Sequence, residues 1–257
     1  MSIVWMGFFG SLLAGLLTGV GALGVFLFRA LSPRIEDGLL SFAAGIMLAA
    51  SFFSLLLPAI AYGEQIFHAR PLAVLIVVVG LLGGAVALYL FHRFLPHEHF
   101  LRGHEGPDVE AIGRIWLFVF AITLHNVPEG MAVGVGFAGG DVANGLSLAT
   151  GIGIQNIPEG LAVAVSLVAV GYSRAQGFAI GFLTGLAEPL GGLFGSLAVS
   201  VAGPLMPVTL AFAAGAMLFV ISDEIIPETH SRGYESLATF SLLAGFGLMM
   251  YLDATLG

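Results

Sequence analysis

Eight apolar runs, each of more than twenty residues and nearly free of charge, occupy most of this 257-residue chain. A helix needs about 20 such residues to cross the hydrocarbon core of a bilayer. The runs fall at about 4–28, 37–62, 71–95, 114–138, 143–170, 177–202, 205–227 and 236–256. Lipid offers a backbone no hydrogen bonds, so each run is expected to be helical. Charged residues make up 9% of the chain, against about 25% in soluble domains, and the mean hydropathy is +1.02. The fold class expected is an all-α polytopic membrane protein of eight transmembrane helices in a lipid bilayer. It forms one transmembrane domain over 1–257, with a cytoplasmic loop at 96–113. The first run lacks a basic leader and is too long for a cleaved signal, so it reads as a true span.

Composition removes several function classes. There is no lysine and no basic patch, which argues against a nucleic-acid partner. There is no cysteine, hence no disulfide, thiolate metal site or thiol redox chemistry. The net charge of −8 does not indicate an acidic partner, because several acids lie within the spans. Arginine sets the expected orientation. Arg29, Arg34, Arg93, Arg102, Arg114, Arg174 and Arg232 fall in loops on one side, and Arg70 alone on the other. The positive-inside rule then puts both termini outside the cytoplasm. Trp5 and Trp116 sit near span ends, where interfacial aromatics belong.

Two near-copies of one polar hexapeptide interrupt spans 4 and 5: His125-Asn126-Val127-Pro128-Glu129-Gly130 and Gln155-Asn156-Ile157-Pro158-Glu159-Gly160. A carboxylate at mid-membrane costs about 2.5–3.5 kcal/mol on insertion scales, so it marks a functional site by default. The short turn Gly139–Gly145 makes the two spans an antiparallel hairpin, and residue 144 is the midpoint between Glu129 and Glu159. Fifteen residues along each arm, at about 1.5 Å each, put both glutamates at one depth near the bilayer centre. His125, Asn126 and Glu129 share a helix face, and Gln155, Asn156 and Glu159 repeat that geometry. Pro128 and Pro158 free the carbonyls of Leu124 and Ile154 and bend each helix, and Gly130 and Gly160 soften it further. Imidazole, amides and paired carboxylates form a cage suited to zinc and neighbouring transition metals rather than magnesium or calcium. His125 is the only histidine well inside a span, and no His-Glu-x-x-His is present. Both facts count against a permanent catalytic centre; an intramembrane metalloenzyme and a secondary transporter using these acids for protons or sodium stand as the rival readings.

The doubled motif resembles that of the ZIP family of zinc and iron transporters, in its bacterial branch. The resemblance extends over essentially the whole chain. It implies uptake of a divalent transition metal (zinc foremost, with cadmium, iron and manganese) across the bacterial inner membrane, with the ion as substrate and no organic cofactor. It also implies a two-metal site in the hairpin and suggests a homodimer. By position, His125, Glu129, Glu159 and Met47 match the first metal's ligands. Asn126, Glu129, Gln155, Asn156, Glu159 and Glu188 match the second's, the two glutamates bridging. Relatives in that branch often carry aspartate where this chain has Asn156, so the second ion is expected to be held less tightly. Near the inner end of span 7, Asp223, Glu224 and His230 match an exit station, in a helix expected to stop at Pro227. Asp37 on the inner side could help release ions, and Asp253 on the outer side could attract them. The His- and acid-bearing segment His92–Gly113 reads as a solvated loop, with metal collection as the alternative.

Overall fold

The computed structural model describes every residue except 1, 29, 95, 96, 100–102, 106–113, 138, 139, 170, 202 and 257. Eight long helices follow in order: α1 (Ile3–Phe26), α2 (Pro33–Phe67), α3 (Arg70–Phe94), α4 (Arg114–Gly136), α5 (Val142–Ala169), α6 (Arg174–Val201), α7 (Met206–Thr229) and α8 (Glu235–Leu256). Among the described residues, seven are long and apolar enough to cross a membrane. The eighth, α4, runs 23 residues, with Arg114, His125 and Glu129 as its titratable groups. Large apolar side chains such as Leu13, Leu75, Phe194 and Phe240 ring the outside, as a lipid-facing surface requires. Between α3 and α4 the expected loop contains two short antiparallel strands, β1 (His97–His99) and β2 (Gly103–Glu105), with Glu98 opposite His104. The rest of that loop lies outside the described residues.

The helices divide into two groups. Within one, α1 packs on α5 and α6, α4 on α6, and α5 on α6; within the other, α2 packs on α8 and α7, and α3 on α7. Glycine lets backbones touch inside each group. A Cβ at Gly45 of α2 would lie 1.9 Å from the Leu242 carbonyl oxygen of α8, and one at Gly245 would lie 2.0 Å from that of Phe42. The same reciprocal contact joins α7 to α3 through Gly215 with Leu81 and Gly84 with Phe212. The likeness is written in sequence, because Phe42-Ala43-Ala44-Gly45-Ile46-Met47-Leu48 recurs as Phe212-Ala213-Ala214-Gly215-Ala216-Met217-Leu218. No described glycine brings a backbone of one group against a backbone of the other. There side chains meet instead: Ile46, Met47, Met217 and Met249 share one buried apolar cluster with Leu148 and Ile152 of α5, and a Cβ at Gly151 of α5 would meet Met249 Sδ at 2.3 Å.

Prolines shape the helices differently from the expectation. Pro227 does not stop α7: a wide π turn over Ile221–Ile225 precedes it, and the helix continues to Thr229. In α2 a π turn over Ala50–Leu56 likewise precedes Pro58. Proline clashes with the carbonyl four residues back and cannot donate to it, and local widening relieves both defects. Pro128 and Pro158 lie inside continuous helices. α6, expected to be unbroken, is interrupted at Leu186-Ala187, immediately before Glu188-Pro189. Pro189 cannot donate to Gly185, and a Cβ at Gly15 would meet that freed carbonyl oxygen at 2.2 Å. The hairpin turn is shorter than read from sequence: α5 begins at Val142, so Asn144 and Gly145 are helical.

Candidate metal centre

The two hexapeptides face inward. His125 and Glu159 are each 7% exposed, while Asn126, Glu129, Gln155 and Asn156 are fully buried. The restart of α6 adds Glu188, also fully buried and in the first turn of the second half-helix, where the macrodipole favours an anion. Gly130 and Gly160 serve as close-approach points rather than as softeners. A Cβ at Gly130 would lie 1.9 Å from the Glu188 carbonyl oxygen, and one at Gly160 would lie 1.9 Å from that of Thr18. The motif glycines thus draw α6 and α1 against the hairpin and bring Glu188 to the centre.

Amides hold the carboxylates. Gln155 Nε2 donates to Glu129 Oε1 at 2.5 Å. Asn156 Nδ2 donates to Glu188 Oε1 at 2.7 Å and to the Ala14 carbonyl of α1 at 2.8 Å. Glu129, Glu159 and Glu188 lie close enough to repel one another when ionised. His125 lies within electrostatic reach of Glu159, and its Nε2 is 2.5 Å from Glu224 Oε2 of α7. Five side-chain oxygens find no hydrogen-bond partner among the described residues, Asn126 Oδ1, Glu129 Oε2, Gln155 Oε1, Asn156 Oδ1 and Glu188 Oε2, and neither does the Asn126 Nδ2 donor. An unsatisfied buried polar group costs about 1–3 kcal/mol, more when charged. Buried oxygens of this kind are acceptors that a cation can satisfy. Among the described residues no three carboxylate or imidazole groups converge as a preformed metal cluster. Glu129 and Glu188 are instead each held by an amide, and Glu224 by the imidazole.

The remaining candidates are distributed as follows. Met47 is fully buried in the apolar packing between the helix groups. Glu224, read as an exit residue, is the central imidazole's partner. Asp223 is half-buried beside it in sequence. His230 is engaged locally, Nδ1 with the Ile226 carbonyl at 3.0 Å and Nε2 with Thr239 Oγ1 at 3.3 Å. Asp37 is buried at the same end, 3.4 Å from Arg232. Arg232 also pairs with Glu36 at 2.7 Å and Glu228 at 3.0 Å. Burial would lower the Arg232 pKa, but the bond and charge of Glu36, followed by Asp37 and Glu228, hold it above its ordinary value. At the opposite end Asp253 accepts a 2.6 Å bond from Ser54 Oγ. Asn144, passed over in the sequence reading, donates to the carbonyls of Ser54 at 3.1 Å and Gly136 at 3.2 Å. The Ser54 carbonyl is the one Pro58 leaves without its helical donor. That rule could have flagged Asn144; nothing in sequence points to the Ala14 carbonyl.

A helical membrane protein whose two helix groups enclose carboxylates, amides and an imidazole is built around a polar centre rather than a packed core. A family model described as ZIP zinc transporter matches residues 96–253. The chain is 47% identical over 251 residues to the zinc transporter GufA of Myxococcus xanthus, covering 98% of this chain and 99% of that protein. It is 48% identical over 240 residues to the zinc transporter ZIPB of Bordetella bronchiseptica, covering 93% and 78%. It is 36% identical over 337 residues to human zinc transporter ZIP11, covering 100% and 98%. The chain belongs to the ZIP family, a family of transporters and not of enzymes.

Proposed function

We propose that the protein takes up a divalent transition-metal ion, zinc foremost with cadmium, iron and manganese as alternatives, across a bacterial inner membrane. The ion passes through a two-metal site held by His125, Asn126, Glu129, Gln155, Asn156, Glu159 and Glu188. The observation carrying this reading is the set of five partnerless buried oxygens. They belong to five of the six residues that the family resemblance assigns to the second position. Gln155 and Asn156 hold Glu129 and Glu188 until an ion takes their place, and His125 exchanges Glu224 for the metal. Met47 completes the first position as a thioether ligand.

Both termini face outward, so the end carrying Asp253 and Asn144 receives ions and the end carrying Asp223, Glu224, Asp37 and His230 releases them. Alternating access is a displacement of one helix group against the other, the general solution for a central site. It is supported by the contrast between backbone contact within groups and side-chain contact between them. The working unit is a homodimer of single-domain protomers. Purified protein in liposomes loaded with a zinc-sensitive dye tests the reading. Wild type should pass zinc and Glu159→Ala should not; equal, background-level signals from both would refute it.

A further inference from the structure

Three carboxylates, from Glu36, Asp37 and Glu228, surround the Arg232 guanidinium at the end of the molecule where α2 begins and α7 ends. Arg232 Nη1 reaches Glu36 Oε2 at 2.7 Å and Asp37 Oδ1 at 3.4 Å, while Nη2 reaches Glu228 Oε1 at 3.0 Å. All four side chains are at least largely buried: Arg232, Glu36 and Glu228 are 13–14% exposed and Asp37 is 0%. Arg232 is the guanidinium that pairs with these three carboxylates, and His230 also lies within electrostatic reach of Asp37. Among the described residues neither Asp37 oxygen has a hydrogen-bond partner, and Ser41 Oγ, one turn further along α2 and fully buried, has none either. These groups would accept a cation beyond the one they face.

The cluster also lies next on the way out. Glu228 follows Glu224 by four residues on α7, and Glu224 touches the central His125. An ion that leaves the centre by Glu224 meets Glu228 and Asp37 next. Three desolvated carboxylates with no resident cation would hold a divalent ion there, because partial burial weakens solvent screening. Arginine suits the opposing task, since its planar fork engages several carboxylates at once and it stays charged.

We propose that Arg232 is a tethered cation that competes with the departing metal ion for Glu36, Asp37 and Glu228, so that the inner mouth releases ions instead of storing them. This rests on the transport reading for its purpose, but the competition can be measured without flux. Cadmium bound per chain is counted by equilibrium dialysis in detergent for wild type, Arg232→Gln and Arg232→Lys. The same count is repeated with Glu129→Gln and Glu159→Gln disabling the centre. The glutamine variant should bind one more Cd²⁺ per chain than wild type in both backgrounds, and its initial zinc uptake in liposomes should fall severalfold. Lysine, a compact point charge, should give an intermediate affinity for the added ion. If the glutamine variant does not fold, the lysine isotherm carries the test: it should lie at lower cadmium than that of wild type. A merely structural clamp would lower the melting temperature without an added ion, and identical isotherms for all folded variants would overturn the competition. Zinc flux without the extra ion sinks only this proposal. An extra ion without wild-type flux sinks only the transport reading.

Discussion

Several buried polar residues at the centre have one atom engaged and another without a partner among the described residues, and the difference predicts how substitutions behave. Glu129 offers one oxygen to Gln155 and leaves the other without a partner. Disturbing groups that only orient a ligand costs about 10–100-fold in metal affinity. Glu129→Gln, which removes a proposed ligand, should therefore weaken zinc binding by roughly 100-fold or more in competition dialysis. Asn156→Asp has a two-sided outcome. Aspartate cannot donate to the Ala14 carbonyl and sets a second charge beside Glu188, so ion-free protein should melt at lower temperature. Added zinc should more than restore it, because the pair then binds the cation with two charges. A melting temperature insensitive to zinc in both proteins would count against a ligand at this position. The hexapeptides made most of this centre legible, because carboxylates in an apolar run have no bland explanation. The contact of Glu224 with His125 was not legible, because linear distance from the motif hid the approach of α7 to the centre. The Ala14 carbonyl was invisible, since a backbone acceptor leaves no trace in residue type.

At the scale of a helix, length and direction were readable from hydropathy, and local winding was not. Proline marked every irregularity, yet its effect differed: a π turn before Pro58 and Pro227, a break before Pro189, and continuity through Pro128 and Pro158. Which outcome wins depends on what stands beside the freed carbonyl, and that is tertiary information. Asn144 fills the role for Ser54, and Gly15 admits the Gly185 oxygen. The motif glycines obey the same logic. Gly130→Ala sets a methyl against the Glu188 carbonyl, a rigid backbone atom. Overpacking of this kind costs about 1–3 kcal/mol or more. The variant should unfold at lower denaturant and shift Glu188, lowering zinc affinity as well. If Gly130→Ala matched wild type in both measurements, glycine here would be incidental.

For the whole molecule, the two helix groups could not be deduced from the order of spans, because neighbours in sequence are often in different groups. Chemical linking tests the division in a chain that has no native cysteine. Ser54→Cys with Asn144→Cys joins α2 to α5 across the groups, where the two residues are already in contact. Gly38→Cys with Ser241→Cys joins α2 to α8 within one group, where a Cβ at Gly38 would lie 3.6 Å from Ser241 Oγ. Oxidation should halt zinc uptake in the first pair and spare it in the second, with reductant restoring the first. Arrest by both would show that the molecule works as a single body.

Those glycine contacts also determine how the molecule yields to force. Where main chain rests on main chain, no side chain can rotate to absorb a shear, so each block is stiff. Along the plane where methionine, leucine and isoleucine meet, rotamers can change at little cost and the material is soft. If the proposed displacement of one group against the other occurs, this is the plane along which the architecture resists it least.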